Sequence, residues 1–421
     1  MTIICNTPLE AVSPIRSRQR VWCHSMAATP YVLLAALTEH VMTLEGVELL
    51  QLHLEHADVL AKPELEGHLR NRCYFASKHS RTLINQNKAD YVPVFLSEIP
   101  KLFRRGEQPI DVALIQVSPP DRHGYCSLGV SVEATLAACR AAKTIIAQVN
   151  PQMPRTLGDA VIAWRDIDYA VEVESEIPQL KAKDTSPAHA QIGRYIAELI
   201  RDGDCLQMGI GAIPNAALAG LSNHQHLGIH SEMFSDGVIP LVEAGVIDNS
   251  RKVIHTGRIV TGFVLGSRDL YDFVDDNSNV QFLDIEYVNN PAVIRKNPQT
   301  VSINSAIEID LTGQVCADSM GHNIYSGFGG QVDFVTGAQL SKKGRSIIAL
   351  PSTAMRGQQS RIVPSLSQGA GVVTSRAQVD HIVTEFGVAS LRGCSIRERA
   401  QKLIQIAHPD FREQLAQAAG V

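Results

Sequence analysis

The chain contains no Cys-x-x-Cys pair; its eight cysteines are scattered singly. That pattern suggests neither a zinc site nor a disulfide framework, and reduced thiols in a cytosol are the simpler expectation. No apolar run approaches the roughly 18 residues of a membrane span. There is no excess of positive charge: the net charge is −5, which gives no electrostatic ground for nucleic acid or an anionic membrane as partner. The first ten residues, Met1 to Glu10, hold no basic stretch followed by an apolar one, and no Arg/Ser-rich transit pattern. A cytoplasmic location is expected. Low-complexity segments are also missing.

What is present describes an ordinary globular protein with a large core. Hydrophobic residues make up 45% and charged residues 19%. A length of 421 residues exceeds what one core organises, so two or three domains are expected. The chain also resembles itself. Ile15 to Pro30 and Ile200 to Pro214 each start with Ile-Arg, pass through a short apolar run and a small-residue turn, and end at Pro. A helical pattern follows each, from Tyr31 and from Asn215. Pro suits a first helical turn, where its missing N–H would have no partner anyway. Strand-like runs then alternate with helical patterns. In the first half they begin at Val47, Val112 and Thr144; in the second, at Cys205, Leu227, Val280, Thr300, Ser346 and His381. This alternation predicts an α/β fold of two tandem open domains with mainly parallel sheets, residues 1–187 and 188–421. The charged, Ser-Pro-containing stretch Lys181 to Pro187 is the expected linker, and a helix is expected over 188–200.

The functional pattern centres on Gly228-Ile-His-Ser-Glu-Met-Phe-Ser-Asp-Gly237. An apolar run ends there and delivers Glu232 into a polar turn. Open α/β sheets place ligands at the carboxyl ends of their strands. Glu232 is therefore a candidate nucleophile toward a thioester, although capping or ion pairing is the commoner role of a carboxylate. Upstream, Gly209-Ile-Gly-Ala-Ile-Pro214 removes Cβ atoms where a strand meets a helix, so a ligand can approach main-chain N–H groups. Pro214 stands where a dinucleotide fingerprint wants its third Gly. Glu232, however, falls where that fingerprint has its ribose-binding acid, so a nicotinamide enzyme stays open.

Three further segments carry chemistry. Ser326-Gly-Phe-Gly-Gly-Gln-Val-Asp-Phe334 has backbone free to aim N–H donors at an oxyanion. Ile285-Glu-Tyr-Val-Asn-Asn-Pro291 offers a turn, an amide side chain and a competing carboxylate, Glu286. Val117 to Gly129 holds Ser118, Asp121 and His123, which invite a hydrolase triad. Their spacing does not force triad geometry, and the Gly-x-Ser-x-Gly elbow is absent. His230 and Ser231 beside Glu232 meet the same objection.

Taken in order, these segments resemble the acetyl-CoA hydrolase/transferase family, most closely its CoA-transferases of the 4-hydroxybutyrate and butyrate type. The similarity includes Ala27-Ala-Thr-Pro30, the Val117-Ser-Pro loop, Gly209 to Pro214, His230-Ser-Glu-Met233, the Asn-Asn-Pro turn, Gly327 to Phe334 and Val383 to Gly387. The resemblance implies that Glu232, and not Glu286, forms a glutamyl-CoA thioester. It implies that Gly209, Ile210, Gly211, Ala212, Ile213, Ile307 and Gly330 line the CoA site. It assigns Gly330 an oxyanion-donor N–H and Asn289 an amide that holds the thioester. Arg356, where relatives often carry Lys, is implied as a CoA-phosphate contact. Coenzyme A would be substrate and covalent intermediate, with no permanently bound cofactor and no metal. Short-chain acyl-CoA and small carboxylates would be the partners, the active site would lie between two domains, and the protein would be a homodimer or larger. His24-Ser-Met26 departs from a more glycine-rich turn in relatives. A hydrolase of the same family and a CoA- or nucleotide-binding protein without covalent chemistry are the remaining alternatives.

Overall fold

The computed structural model describes residues 1–180 and 185–421. They form two compact units. The first holds Met1–Leu180, Val260–Val288 and Tyr325–Gly327; the second holds the described residues up to Ile259, then Asn289–Ile324 and Phe328–Val421. Part of the expected linker, residues 181–184, lies outside the described residues. Pro187 already opens the helix Pro187–Leu199, capped by Ser186, whose hydroxyl accepts from the His189 N–H. The units are not divided by one cut in sequence. The Val260–Val288 segment joins the first because it bonds to it: Val132 N–H to Gly262 O at 2.9 Å, Val264 N–H to Val130 O at 2.9 Å and Phe282 N–H to Leu157 O at 2.9 Å.

The first unit is built on eight strands, all paired in parallel. Their spatial order is Ile3–Ile4, Tyr169–Glu172, Thr144–Val149, Val112–Val117, Arg20–Cys23, Val47–Gln51, Leu69–Cys73 and Asp90–Tyr91. The central strands are mostly apolar because a parallel sheet is covered on both faces; Val112–Val117 is buried at every position, its one polar residue Gln116 included. The helix Tyr31–His40 lays Leu33, Leu34 and Leu37 into the core beside Val21, Leu49 and Leu114.

The main sheet of the second unit has six strands in the order Gly228–Ile229, Cys205–Met208, Thr300–Ser305, Arg345–Ala349, His381–Thr384 and Gly387–Ser390. All pairings are parallel except the last. The expected α/β architecture of open, mainly parallel sheets is therefore present. One strand went elsewhere: Val280–Phe282 forms, but in the first unit and outside the six-stranded sheet. In the second sheet the chain leaves Cys205–Met208 for Gly228–Ile229 on one side and later enters Thr300–Ser305 on the other. That reversal is a topological switch point, where open sheets form a crevice at the carboxyl ends of the strands. Among the described residues no helix is long and apolar enough to cross a membrane, and no group of three or more His, Cys, Asp or Glu could hold a metal.

Candidate active site

Two side chains, Glu232 and Asn289, and the main-chain N–H of Gly330 meet at the carboxyl ends of the second sheet. Glu232 follows the short strand Gly228–Ile229. Ser231 locks that exit: its hydroxyl donates to Met208 O at 3.0 Å and accepts from Met208 N–H at 3.2 Å. Ser235, just beyond, donates to Asn215 Oδ1 at 3.2 Å and ties the turn to the helix Ala212–Ala219. Glu232 is thus presented from a turn held at both ends.

Its carboxylate meets two donors. Asn289 Nδ2 donates to Glu232 Oε2 at 3.1 Å, and the Gly330 N–H bonds the same carboxylate. Asn289 is completely buried, and its Oδ1 has no hydrogen-bond partner among the described residues. Gly330 caps the helix Gln331–Leu340, so the positive end of that helix faces Glu232. A Cβ at Gly330 would lie 2.0 Å from Glu232 Oε2 and 2.3 Å from Asn289 Nδ2. Only glycine lets main chain come this close. Gly329 before it takes φ +53°, a left-handed conformation that favours glycine.

Burial is the largest influence on the Glu232 carboxyl and raises its pKa above the ordinary carboxylate range; the Asn289 amide and the Gly330 N–H pull it back. The native state therefore binds the proton more tightly than the unfolded chain does. Keeping the group ionised costs stability above that raised pKa, and the cost falls away as the pH drops from it to the ordinary carboxylate value. Glu232→Gln removes the charge and keeps an acceptor for both donors. Its melting temperature is expected to equal or exceed that of the parent at pH 7, and the difference should shrink as the solution is acidified. A clearly lower melting temperature at pH 7 would contradict this electrostatic picture.

The glycine turn stands next to these groups in the same sheet, one strand over. Nothing lies within 4 Å of a Cβ built on Gly209 or Gly211, and Gly211 has φ +123°. Gly211 caps the helix Ala212–Ala219 without any side-chain hydrogen bond, so the first-turn N–H groups keep no side-chain cap. Ile210 and Ala212 are partly exposed, whereas Ile213 is buried. Ile213 can offer a ligand its main chain and little side chain. Ile307 follows Thr300–Ser305, is partly exposed, and donates its N–H to Cys316 O at 2.8 Å.

Two matches place the chain in a family. The acetyl-CoA hydrolase/transferase N-terminal domain matches residues 5–179, and the C-terminal domain of the same name matches residues 266–419. The chain belongs to the acetyl-CoA hydrolase/transferase family. It is 48% identical to the 4-hydroxybutyrate coenzyme A transferase of Clostridium kluyveri, over 97% of this chain and 95% of that protein. It is also 48% identical to the succinyl-CoA:acetate/propanoyl-CoA:succinate CoA transferase of Fasciola hepatica, over 96% of this chain and 85% of that one. The crystal structure of RipA from Yersinia pestis superposes with a TM-score of 0.93 at 36% identity, covering 99% of this chain and 97% of RipA.

Against that family background, the other candidate groups sort clearly. Glu286 is held with Asp284 by the Arg104 guanidinium. That is an ion-pair role, in the first unit. Asp121 accepts from the N–H groups of His123 and Tyr125, at 2.9 and 3.0 Å, and from Arg155 at 2.7 Å. Ser118 Oγ donates to Pro119 O and accepts from Ser127 N–H. These bonds build a turn, and no triad is assembled. His230 is buried, with its ring edge-on to Phe334 at 6.3 Å. Arg356 stands on an exposed tip between the paired strands Thr353–Ala354 and Gln359–Ser360, with φ +59°; none of the hydrogen bonds described brings it to Glu232. Two residues that touch the Glu232 strand, Asn249 and Lys252, escaped sequence reasoning. Both bond to main-chain atoms, which leaves no pattern in a sequence.

Proposed function

We propose that this member of the family is an acyl-CoA:carboxylate CoA-transferase that works through Glu232. The observation that carries this is the carboxylate held between the Asn289 amide and the Gly330 N–H at a helix N-terminus. As a carboxylate, Glu232 needs no general base. One of its oxygens attacks the acyl carbonyl of the thioester; the C–S bond breaks and the CoA thiolate leaves, giving an acyl–glutamyl anhydride. The thiolate attacks the glutamyl carbonyl and expels the free carboxylate, leaving glutamyl-CoA. An acceptor carboxylate then attacks glutamyl-CoA and displaces the thiolate, which attacks the acceptor's own carbonyl and restores Glu232. No proton is consumed. A thiol with a pKa near 8.5 makes a competent leaving group. Each addition puts charge on an oxygen, where a well-aimed N–H donor is worth about 10²–10³ in rate. Gly330 is assigned that role, and Asn289 the holding of the glutamyl oxygen. Gly209 to Ile213 and Ile307 are assigned to the CoA moiety, and Arg356 to a CoA phosphate. The substrates are short-chain carboxylates, acetate paired with butyrate, propionate or 4-hydroxybutyrate. A homodimer is the proposed assembly.

A donor–acceptor screen tests the reading, with water as the control acceptor. Exchange of CoA between two short carboxylates, with parallel lines in a double-reciprocal plot, is expected. Release of CoA to water without exchange would make the protein a hydrolase, and binding of CoA without either would remove the covalent chemistry.

Two outcomes follow for this site. Asn289→Ala removes one donor and is expected to lower turnover by about 10- to 100-fold with a small change in KM, since hydrogen bonds to charged groups contribute roughly 1.5–3 kcal/mol; steady-state kinetics reads it. The activity profile should lose its acidic limb above the ordinary pKa of about 4.3 for Glu, because the raised native pKa protonates the nucleophile early. An acidic limb centred at or below pH 4 would contradict the burial of the carboxyl.

A further inference from the structure

The strand that leads to Glu232 is only two residues long and lies at the edge of its sheet. On one side it is paired normally: Gly228 N–H bonds Asp204 O at 2.9 Å, and His230 N–H bonds Leu206 O at 3.1 Å. In a parallel strand the residue between them turns its N–H and C=O the other way. There the described residues add no further strand, only an isolated parallel bridge between Leu227 and Ile247 one turn of the ladder earlier. Ile229 N–H instead bonds Asn249 Oδ1 at 2.9 Å, and Ile229 O accepts from Lys252 Nζ at 2.8 Å. Two side chains supply the ladder that a neighbouring strand would supply. Lys252 Nζ also donates to Arg258 O at 2.5 Å.

This arrangement is built in, not incidental. Asn249 and Lys252 are buried, at 5% and 4% exposure. The Lys252 stem lies across Gly228, where an added Cβ would come within 2.8 Å of Lys252 Cγ. Asn249 takes φ +57°, a left-handed conformation that Asn tolerates better than most residues. Its own N–H bonds Leu227 O at 3.0 Å, so both of its ends hold the same strand. Burial also holds the Lys252 pKa down at about 8, with the Cys205 thiol opposing weakly. Between that value and the ordinary 10.4 the unfolded chain binds more protons, so stability rises with pH across this window and the charged form below it is a cost. A buried ammonium that weakens the fold and ties the Ile229 carbonyl, three residues before Glu232, to the Arg258 carbonyl points to geometry, not to stability.

We propose that Lys252 and Asn249 are positioning residues for Glu232, acting as a surrogate edge strand that sets where its carboxylate meets Asn289 and Gly330. This rests on the reading of Glu232 as nucleophile. Removing either grip frees Ile229 on its open side. The turn then presents the carboxylate in a wider range of positions, which slows the chemical step and leaves CoA binding largely alone, because misplacement of a reacting group by about 1 Å can cost about 10² in rate.

The test uses the full chain. Lys252→Met keeps the apolar stem and removes the donor. The expected result is a fall in kcat of about tenfold or more, with KM for acyl-CoA changed less than about threefold, and slower formation of the Glu232–CoA adduct in a single turnover. Should Lys252→Met not fold, Asn249→Gly serves, because glycine accepts the left-handed backbone and removes only the acceptor. It is expected to show the same split, while Asn249→Asp, which keeps an acceptor oxygen, recovers most of the turnover. A folded Lys252→Met with kcat within twofold of the parent, a loss confined to KM, or Asn249→Gly and Asn249→Asp behaving alike would overturn the proposal. The parent protein separates the two levels. If it never carries CoA on Glu232, the proposed function fails. If it does and the variants leave adduct formation unchanged, only the positioning role fails.

Discussion

Glu232→Asp lowers turnover of CoA transfer by about 10²–10³-fold, with CoA binding preserved. The substitution keeps the charge and withdraws the carboxylate by one methylene. That is more than the 1 Å that costs about 10² when a reacting group is misplaced. The environment gives the shortened side chain no substitute position. Its donors are rigid: Asn289 is completely buried, and the Gly330 N–H belongs to the first turn of a ten-residue helix. Ser231 and Ser235 pin the turn on either side. The backbone therefore does not follow the retreating carboxylate. Steady-state kinetics with a saturating donor measures the effect, and near-parent turnover would take Glu232 out of the chemistry.

Gly330→Ala produces a loss of similar size by the opposite route, adding atoms instead of withdrawing them. The new methyl carbon would stand 2.0 Å from Glu232 Oε2 and 2.3 Å from Asn289 Nδ2, far inside contact distance. Something must move. The candidates are the carboxylate, the amide or the helix start, and displacing any of them breaks the pairing between donor and oxygen. Losing one aimed main-chain donor costs about 10²–10³ in kcat. At φ −96° alanine is tolerated by the backbone itself, so the effect is steric and local. A melting temperature close to the parent's together with collapsed turnover is the expected pair of results. Unchanged turnover would mean that this N–H does not serve the reaction.

Much of this architecture could be read from sequence, because local pattern and global fold agree. Largely apolar runs such as Val112–Val117 and the Ile347–Ala349 part of Arg345–Ala349 mark strands covered on both faces, and the intervening patterns mark helices. Glu232 stands out in the sequence because its strand ends where a polar turn begins, and Gly330 because a run of glycines signals close approach of main chain; the fold brings the two together with Asn289. Other features had no local signature. Whether Val280–Phe282 belongs to one sheet or the other depends on pairing partners, and periodicity does not encode those. Its own neighbours in sequence do not rule out Glu286, which only the resemblance sets aside; the Arg104 that grips it is remote in sequence and shows only in the fold. The triad-like loop dissolved for a similar reason: Asp121 spends its oxygens on main-chain N–H groups and Arg155. Asn249 and Lys252 act on peptide groups, so neither residue type nor spacing announces them.

The relatives and the site geometry bear on different questions. Similarity along nearly the whole chain gives the family and the class of chemistry. The positions of Asn289 and Gly330 around one carboxylate say which atom could perform it. In the proposed mechanism the Glu232 carbonyl carbon carries CoA for part of every cycle.

The most direct measurement is the mass of the Glu232 peptide during turnover. The protein is mixed with an acyl-CoA donor in the absence of acceptor, treated with borohydride, digested and analysed. A glutamyl thioester is reduced to the alcohol, so the account predicts a mass change at Glu232 that requires donor and is absent in Glu232→Gln. A modification on any other residue, or CoA exchange proceeding with the Glu232 peptide unaltered, would contradict it.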